Sequence, residues 1–142
     1  MLADLPLTLR YALAASVCLA RHGTDRSTSK AVAEETGIPP AFLAKVLAQL
    51  RKSGLVEGTK GHHGGYRLAR PAEEIYLADV VAAVDADDAG DLARVCAMGN
   101  RPCDKTNPCA LHDLWLIATA PVLQMSESVT LARLARMSGQ DV

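Results

Sequence analysis

The stretch from Ser27 to Lys52 does most to limit what this chain can fold into. Ser27, Thr28 and Ser29 offer side-chain oxygens that can cap the first N–H groups of a helix running to about Thr36. Gly37 is a residue on which such a helix ends, and Ile38-Pro39-Pro40 makes a tight turn with Pro40 suited to the first turn of the next helix. In that next helix Leu43, Val46, Leu47 and Leu50 recur at i, i+3, i+4 and i+7, an apolar stripe that has to be buried. Ala33, Gly37 and Ile38 supply the small residue, the turn glycine and the apolar contact that let two helices cross closely. The expectation is a helix-turn-helix with residues 40–52 as its reading helix.

The flanks extend this unit. Leu7–Arg21 reads as an amphipathic helix with Leu7, Tyr11, Ala14 and Cys18 on one face, ended by Gly23. Its apolar run is preceded by Asp4 and one basic residue, Arg10, and no good cleavage site follows, so it does not read as a signal peptide. Leu55–Lys60 and Tyr66–Arg70 read as two short strands joined by Gly61-His62-His63-Gly64-Gly65, a hairpin wing whose glycines permit positive φ and close backbone approach. Ile75–Val84 reads as a short helix and Asp85–Asp91 as an acidic, Gly-containing linker. A cysteine-rich loop follows, then a helix from about Cys109 to Met125 and a last one at Thr130–Met137 capped by Thr130.

The fold class expected is mostly α with a small β-hairpin wing. Residues 1–84 form a winged helix-turn-helix, residues 85–109 a ligand-binding loop, and residues 110–142 a long dimerisation helix with a C-terminal helix. The long helix is apolar over a broad face at Leu111, Leu114, Trp115, Ala118 and Val122. A winged helix has its own core, so this face is expected to pack beside helix one of a second copy. Folding back onto its own subunit is the alternative. Pro121 should bend or end the helix early.

Charge points to the partner. The chain of 142 residues has a net charge of −1. Residues 45–70 carry Lys45, Arg51, Lys52, Lys60, Arg67 and Arg70 against Glu57 alone, a local charge of +5. One basic segment on a near-neutral protein is the electrostatic footprint of a DNA-facing element. Lys45 projects from the exposed face of the reading helix, toward a base edge or a phosphate. Arg51, Lys52 and Lys60 are placed to hold phosphates, His62 and His63 to meet DNA from the wing, and Arg67 to reach the backbone or minor groove. Ala41 and Ala44 leave little for direct base readout, so DNA shape has to carry more of the specificity. No stretch approaches the ~20 apolar residues of a membrane span. There is no Ser–His–Asp arrangement, phosphate loop or paired-carboxylate pocket, so an enzyme is not expected.

Cys96, Cys103 and Cys109 fall within the segment VCAMGNRPCDKTNPCALH, beside Gly99, Pro102 and Pro108, with His112 three residues after the last thiol. A protein of the cytoplasm, the expected compartment, uses such clustered cysteines for metal or redox chemistry rather than structural disulfides. Iron–sulfur ligation, tetrahedral zinc and a metal-free redox switch all suit this donor set. Cys18, on the buried face of helix one, reads as a packed core thiol.

Taken in order, LTLRYAL, GIPPAFLAKVLAQLRKSGLV, KGHHGGYRLAR, IYLADVVAAVD and the C-x6-C-x5-C run with CALHDLW resemble the winged-helix iron–sulfur transcription regulators typified by IscR, NsrR and RirA. The resemblance spans nearly the whole chain. It implies a homodimeric regulator on double-stranded DNA with a pseudo-palindromic operator, controlled by a cluster that senses iron, cluster supply, nitric oxide or redox state. It also implies Cys96, Cys103 and Cys109 as ligands, with His112 fourth as in the IscR version, which favours a 2Fe–2S cluster. The NsrR version takes an Asp from helix one, where this chain reads Leu9-Arg10-Tyr11. A 4Fe–4S cluster with another fourth ligand, such as Asp4 or solvent, stays open. An electron carrier or cluster scaffold would leave the helix-turn-helix and wing without purpose, and a metal-free interaction module would leave the thiolates without one.

Overall fold

The computed structural model describes residues 7–62, 64–88, 110, 111, 113, 114, 117, 121 and 124–138. Three helices come first, α1 (Leu7–His22), α2 (Ser29–Thr36) and α3 (Pro40–Lys52). The strands β1 (Val56–Thr59) and β2 (Gly65–Leu68), a 3-10 turn (Ala72–Glu74), α4 (Leu77–Asp88) and α5 (Leu131–Ser138) follow. Between α4 and α5 the described backbone at Asp113, Leu114, Ile117, Pro121 and Gln124–Ser126 is helical. Pro121 therefore lies within helical backbone, and the turn comes at Glu127 and Ser128.

The expected caps are in place. Thr28 accepts a hydrogen bond from the Ala31 N–H at 3.1 Å, and Gly37, at φ 74°, donates its own N–H to Ala33 O. Pro40 opens α3 where a missing N–H has no consequence. α4 departs from expectation by running on through Asp88, into the first half of the predicted linker. Three aspartates at a helix C-terminus oppose the helix dipole, but Ala82, Ala83 and Ala86 favour helix and no glycine interrupts until Gly90.

α1 is the hub, packing against α2, α3, α4, β2 and α5. Its buried residues are Leu9, Ala12, Ala15, Ser16, Cys18 and Leu19. The stripe expected from the sequence is offset from this: Leu7 is exposed, and Tyr11 and Ala14 are half-buried. The physical reason is the small side chains of Ala12 and Ala15, which let several helices approach the axis at once. Tyr11 instead meets Phe42 of α3 edge-on, with ring centroids 5.7 Å apart. Leu43, Val46, Leu47 and Leu50 form the stripe of α3 as expected, widened by a buried Gln49. Each fully buried leucine contributes roughly 1.5–3 kcal/mol.

The last helix belongs to this same core, since Leu131 is fully buried within it. Backbone hydrogen bonds secure the junction, from Leu131 N to Ile75 O and from Leu77 N to Val129 O, each 2.8 Å. Thr130 caps α5 by accepting from the Arg133 N–H at 3.2 Å.

β1 and β2 pair antiparallel with Glu57 opposite Arg67 and Thr59 opposite Gly65. Ser27 adds a third rung, its N–H reaching Tyr66 O at 2.9 Å and its carbonyl accepting from Tyr66 N at 2.7 Å. This pins the wing to the start of α2. Gly65 has φ +142°, and a Cβ there would lie 2.8 Å from Ser27 O. Gly65→Ala should therefore destabilise the fold by roughly 1–3 kcal/mol. Urea unfolding checks this, and an unchanged midpoint would show that the rung is dispensable.

Candidate nucleic-acid interface

Burial of Leu43, Val46, Leu47 and Leu50 sets the orientation of α3, and so decides what it shows to solvent. Ala41, Ala44, Lys45, Ala48 and Lys52 form its exposed stripe, with Arg51 exposed beside it. Three methyl groups, one ammonium at mid-helix and a cationic end make a low-profile surface with few hydrogen-bonding groups. Lys60 and His62 are exposed at the tip of the wing, while His63 lies outside the described residues.

The six cations of the basic segment differ in their surroundings. Arg67 is half-buried and its Nε bonds Glu57 Oε1, the residue opposite it in the hairpin. Arg26 reaches the same carboxylate at 3.6 Å, and Arg70 lies 3.8 Å from Asp79. Arg67 thus braces the wing, with its charge offset by Glu57. Lys45, Arg51, Lys52 and Lys60 are exposed along α3 and at the wing tip, and Arg70 is exposed as well. Sequence reasoning missed the Arg26–Glu57–Arg67 group. Its signal was the hairpin register, which puts Glu57 and Arg67 directly across from each other.

A second cluster sits where α1 meets α2. His22 Nε2 is 2.8 Å from Glu35 Oε2, and Arg21 Nη1 is 3.6 Å from Glu35 Oε1. The hydrogen bond with His22 holds the Glu35 carboxyl below the ordinary carboxylate range, outweighing the opposing effect of burial. Cys18 is 2% exposed, as a core thiol should be. Burial first, then the neighbouring Glu35 charge and hydrogen bond, push its thiol up to about 12 from an ordinary 9.0. An unfolded chain sheds that proton near pH 9 while the folded chain keeps it. Stability from this group is full below pH 9 and is lost as pH rises toward 12. With a chelator present, wild-type stability should fall more steeply across this range than that of Cys18→Ala. Parallel curves from urea unfolding would contradict this.

Cys96, Cys103, Cys109 and His112 lie outside the described residues, as do Asp4, Trp115, Ala118 and Val122. Along the helical stretch before α5, Leu114, Ile117 and Met125 are 64%, 70% and 55% exposed. No helix among the described residues is long and apolar enough to cross a membrane.

Comparison with known proteins gives a consistent answer. Residues 6–137 match the Rrf2 family, described as iron-dependent transcriptional regulators. The chain is 40% identical to the Mycobacterium tuberculosis HTH-type regulator Rv1287 over 128 residues, 88% of this chain and 76% of that one. It is 33% identical to Yersinia pseudotuberculosis IscR over 134 residues, covering 94% and 78%. Two solved structures share the fold. T. potens IscR has a TM-score of 0.75 at 24% identity, covering 98% of this chain and 92% of its own. CymR, the global cysteine regulator of B. subtilis, has a TM-score of 0.74 at 23% identity, covering 97% and 98%. The relatives are transcription regulators and not enzymes. With its helix-turn-helix, its wing and this match along nearly all of its length, the chain belongs to the Rrf2 family of DNA-binding winged-helix transcription regulators.

Proposed function

We propose that this regulator is a cytoplasmic homodimer whose operator binding is controlled by an iron–sulfur cluster held by Cys96, Cys103, Cys109 and His112. The observation that carries the reading is the donor set C-x6-C-x5-C-x2-H, placed directly after a winged helix of this family. The fold alone does not select the signal, since an IscR and a cysteine regulator match it equally well. Three thiolates fit iron–sulfur ligation, and the resemblance of the Cys109–His112 spacing to the IscR version favours 2Fe–2S over 4Fe–4S. Bound there, a cluster supplies a change of charge and oxidation state, the raw material of a redox or iron signal.

The protein's own residues do the rest. Lys45, Arg51, Lys52 and Lys60 hold phosphates or, for Lys45, reach a base edge. The alanine stripe of α3 admits close groove contact, and His62 and His63 approach DNA from the wing. Arg67 acts through the wing, fixing its shape against Glu57. The exposed stripe at Leu114, Ile117 and Met125 is apolar surface that calls for cover, and a second copy supplies it with two-fold symmetry. Two reading helices so related enter successive major grooves about 34 Å apart, which makes the operator pseudo-palindromic.

Anaerobic purification tests the reading. Visible absorption together with a salt-dependent mobility shift of promoter DNA is expected. A colourless, zinc-loaded protein would overturn the cluster assignment, and colour without a DNA shift would point to an electron carrier or scaffold.

A further inference from the structure

Cys18 and His22 stand four residues apart on α1 and so share a helix face, and α2 brings Glu35 up to them. One ligand atom from each, sulfur, imidazole nitrogen and carboxylate oxygen, lies within 4.8 Å of the other two. Tetrahedral zinc bound to such atoms separates them by about 3.3–3.6 Å, given metal–ligand lengths near 2.0–2.3 Å. Small side-chain rotations reach that spacing, since the three atoms lie within 4.8 Å of one another and the His22 Nε2–Glu35 Oε2 pair, 2.8 Å apart, has only to open slightly. The donors are graded by access. Cys18 is buried, while the His22 and Glu35 side chains are 41% and 36% exposed, so a cation enters from solvent and is anchored from within. Cys18 and Glu35 also line an apolar cavity of about 450 Å³ with Leu13, Val17, Leu77 and Leu134, which leaves room for water or a small donor as a fourth ligand.

We infer that Cys18, His22 and Glu35 form a second metal site, taking one divalent cation of the zinc class independently of the cysteine loop. A thiolate and a carboxylate together balance the charge of the ion, and a mixed S, N and O donor set is one that zinc accepts. Binding sends the Cys18 proton to solvent; the His22 Nε2 proton that bonds Glu35 moves to Nδ1 or, from the imidazolium, to solvent, and two metal bonds replace that hydrogen bond. Arg21 is the opposing charge, 3.6 Å from Glu35 Oε1, but its Nη2 already donates to Ser138 O at 3.2 Å and gives it a second anchorage. The site would join α1 to α2, the first helix of the helix-turn-helix, so metal would brace the reading head directly.

Cobalt(II) is the probe, because it takes zinc-like sites and reports thiolate ligation by its charge-transfer absorption. The full chain carrying Cys96→Ser, Cys103→Ser and Cys109→Ser removes the competing thiols, so the result does not depend on the loop binding a cluster. One equivalent of cobalt should bind with a thiolate charge-transfer band, and Cys18→Ser should abolish the band. His22→Gln and Glu35→Gln change surface side chains. With far-UV circular dichroism unchanged, each should weaken cobalt binding by more than the roughly 10- to 100-fold that loss of an outer partner costs. No cobalt binding, a band that survives Cys18→Ser, or unchanged affinity in both surface variants would overturn the assignment.

Discussion

Changing Arg51 and Lys52 together to alanine should weaken binding to every DNA duplex by the same factor. It should also lower the slope of log affinity against log salt by about 2, one for each phosphate left without its cation. Both residues sit at the C-terminal end of α3, where the buried leucines of the same helix hold the backbone in place. A phosphate contact from this position fixes the register of the reading helix and carries no sequence information. Measured at low salt the loss should be largest, and raising the salt should bring wild type and variant together. Lys45→Ala should behave differently if it reads a base edge, costing about 1–3 kcal/mol on one operator and little on others. A loss in the Arg51 and Lys52 variant confined to one operator sequence would show that these residues read bases.

Cys96→Ala, Cys103→Ala or Cys109→Ala should each abolish the visible absorption of anaerobic protein, because a missing thiolate leaves iron open to water. Cys18→Ala should keep the colour, since its thiol is buried among Leu19 and the other core residues of α1. With a chelator present, that variant should cost only packing, roughly 1 kcal/mol. His112 is the graded case. A neutral imidazole is a weaker anchor than a thiolate and must stay deprotonated to bind. His112→Cys should therefore retain colour with a lowered potential, and His112→Ala should make it labile. Bleaching by Cys18→Ala with colour kept in Cys96→Ala would require the site to be redrawn.

Most of the backbone plan was legible because it is written in local signals. Thr28, Gly37, Pro40 and Thr130 act within a few residues of themselves, and each is found capping or starting the helix it announced. The α3 stripe was legible for the same reason. What escaped depends on contacts between distant residues. Nothing near Ser27 announces a rung with Tyr66, and nothing in α1 announces that Glu35 will meet His22. The face of α1 was misjudged because a hub helix is covered from several sides, so periodicity no longer points to one buried stripe. Arg67 looked like one more cation in a basic run, and only the strand register shows Glu57 facing it. The acidic end of α4 misled because Gly90 and the acidic residues around it were read as a linker from Asp85 onward, while the helix runs through Asp88.

Cluster state is proposed to set DNA affinity, and cluster-loaded and cluster-free protein compared on one set of promoter duplexes measure this most directly. Fluorescence anisotropy titrations under anaerobic conditions, at fixed salt, give both affinities. A coupling of the usual size, about 1–3 kcal/mol, predicts a difference of roughly 5- to 150-fold on at least one promoter. Equal affinities on every sequence would contradict the account, even with the cluster fully present.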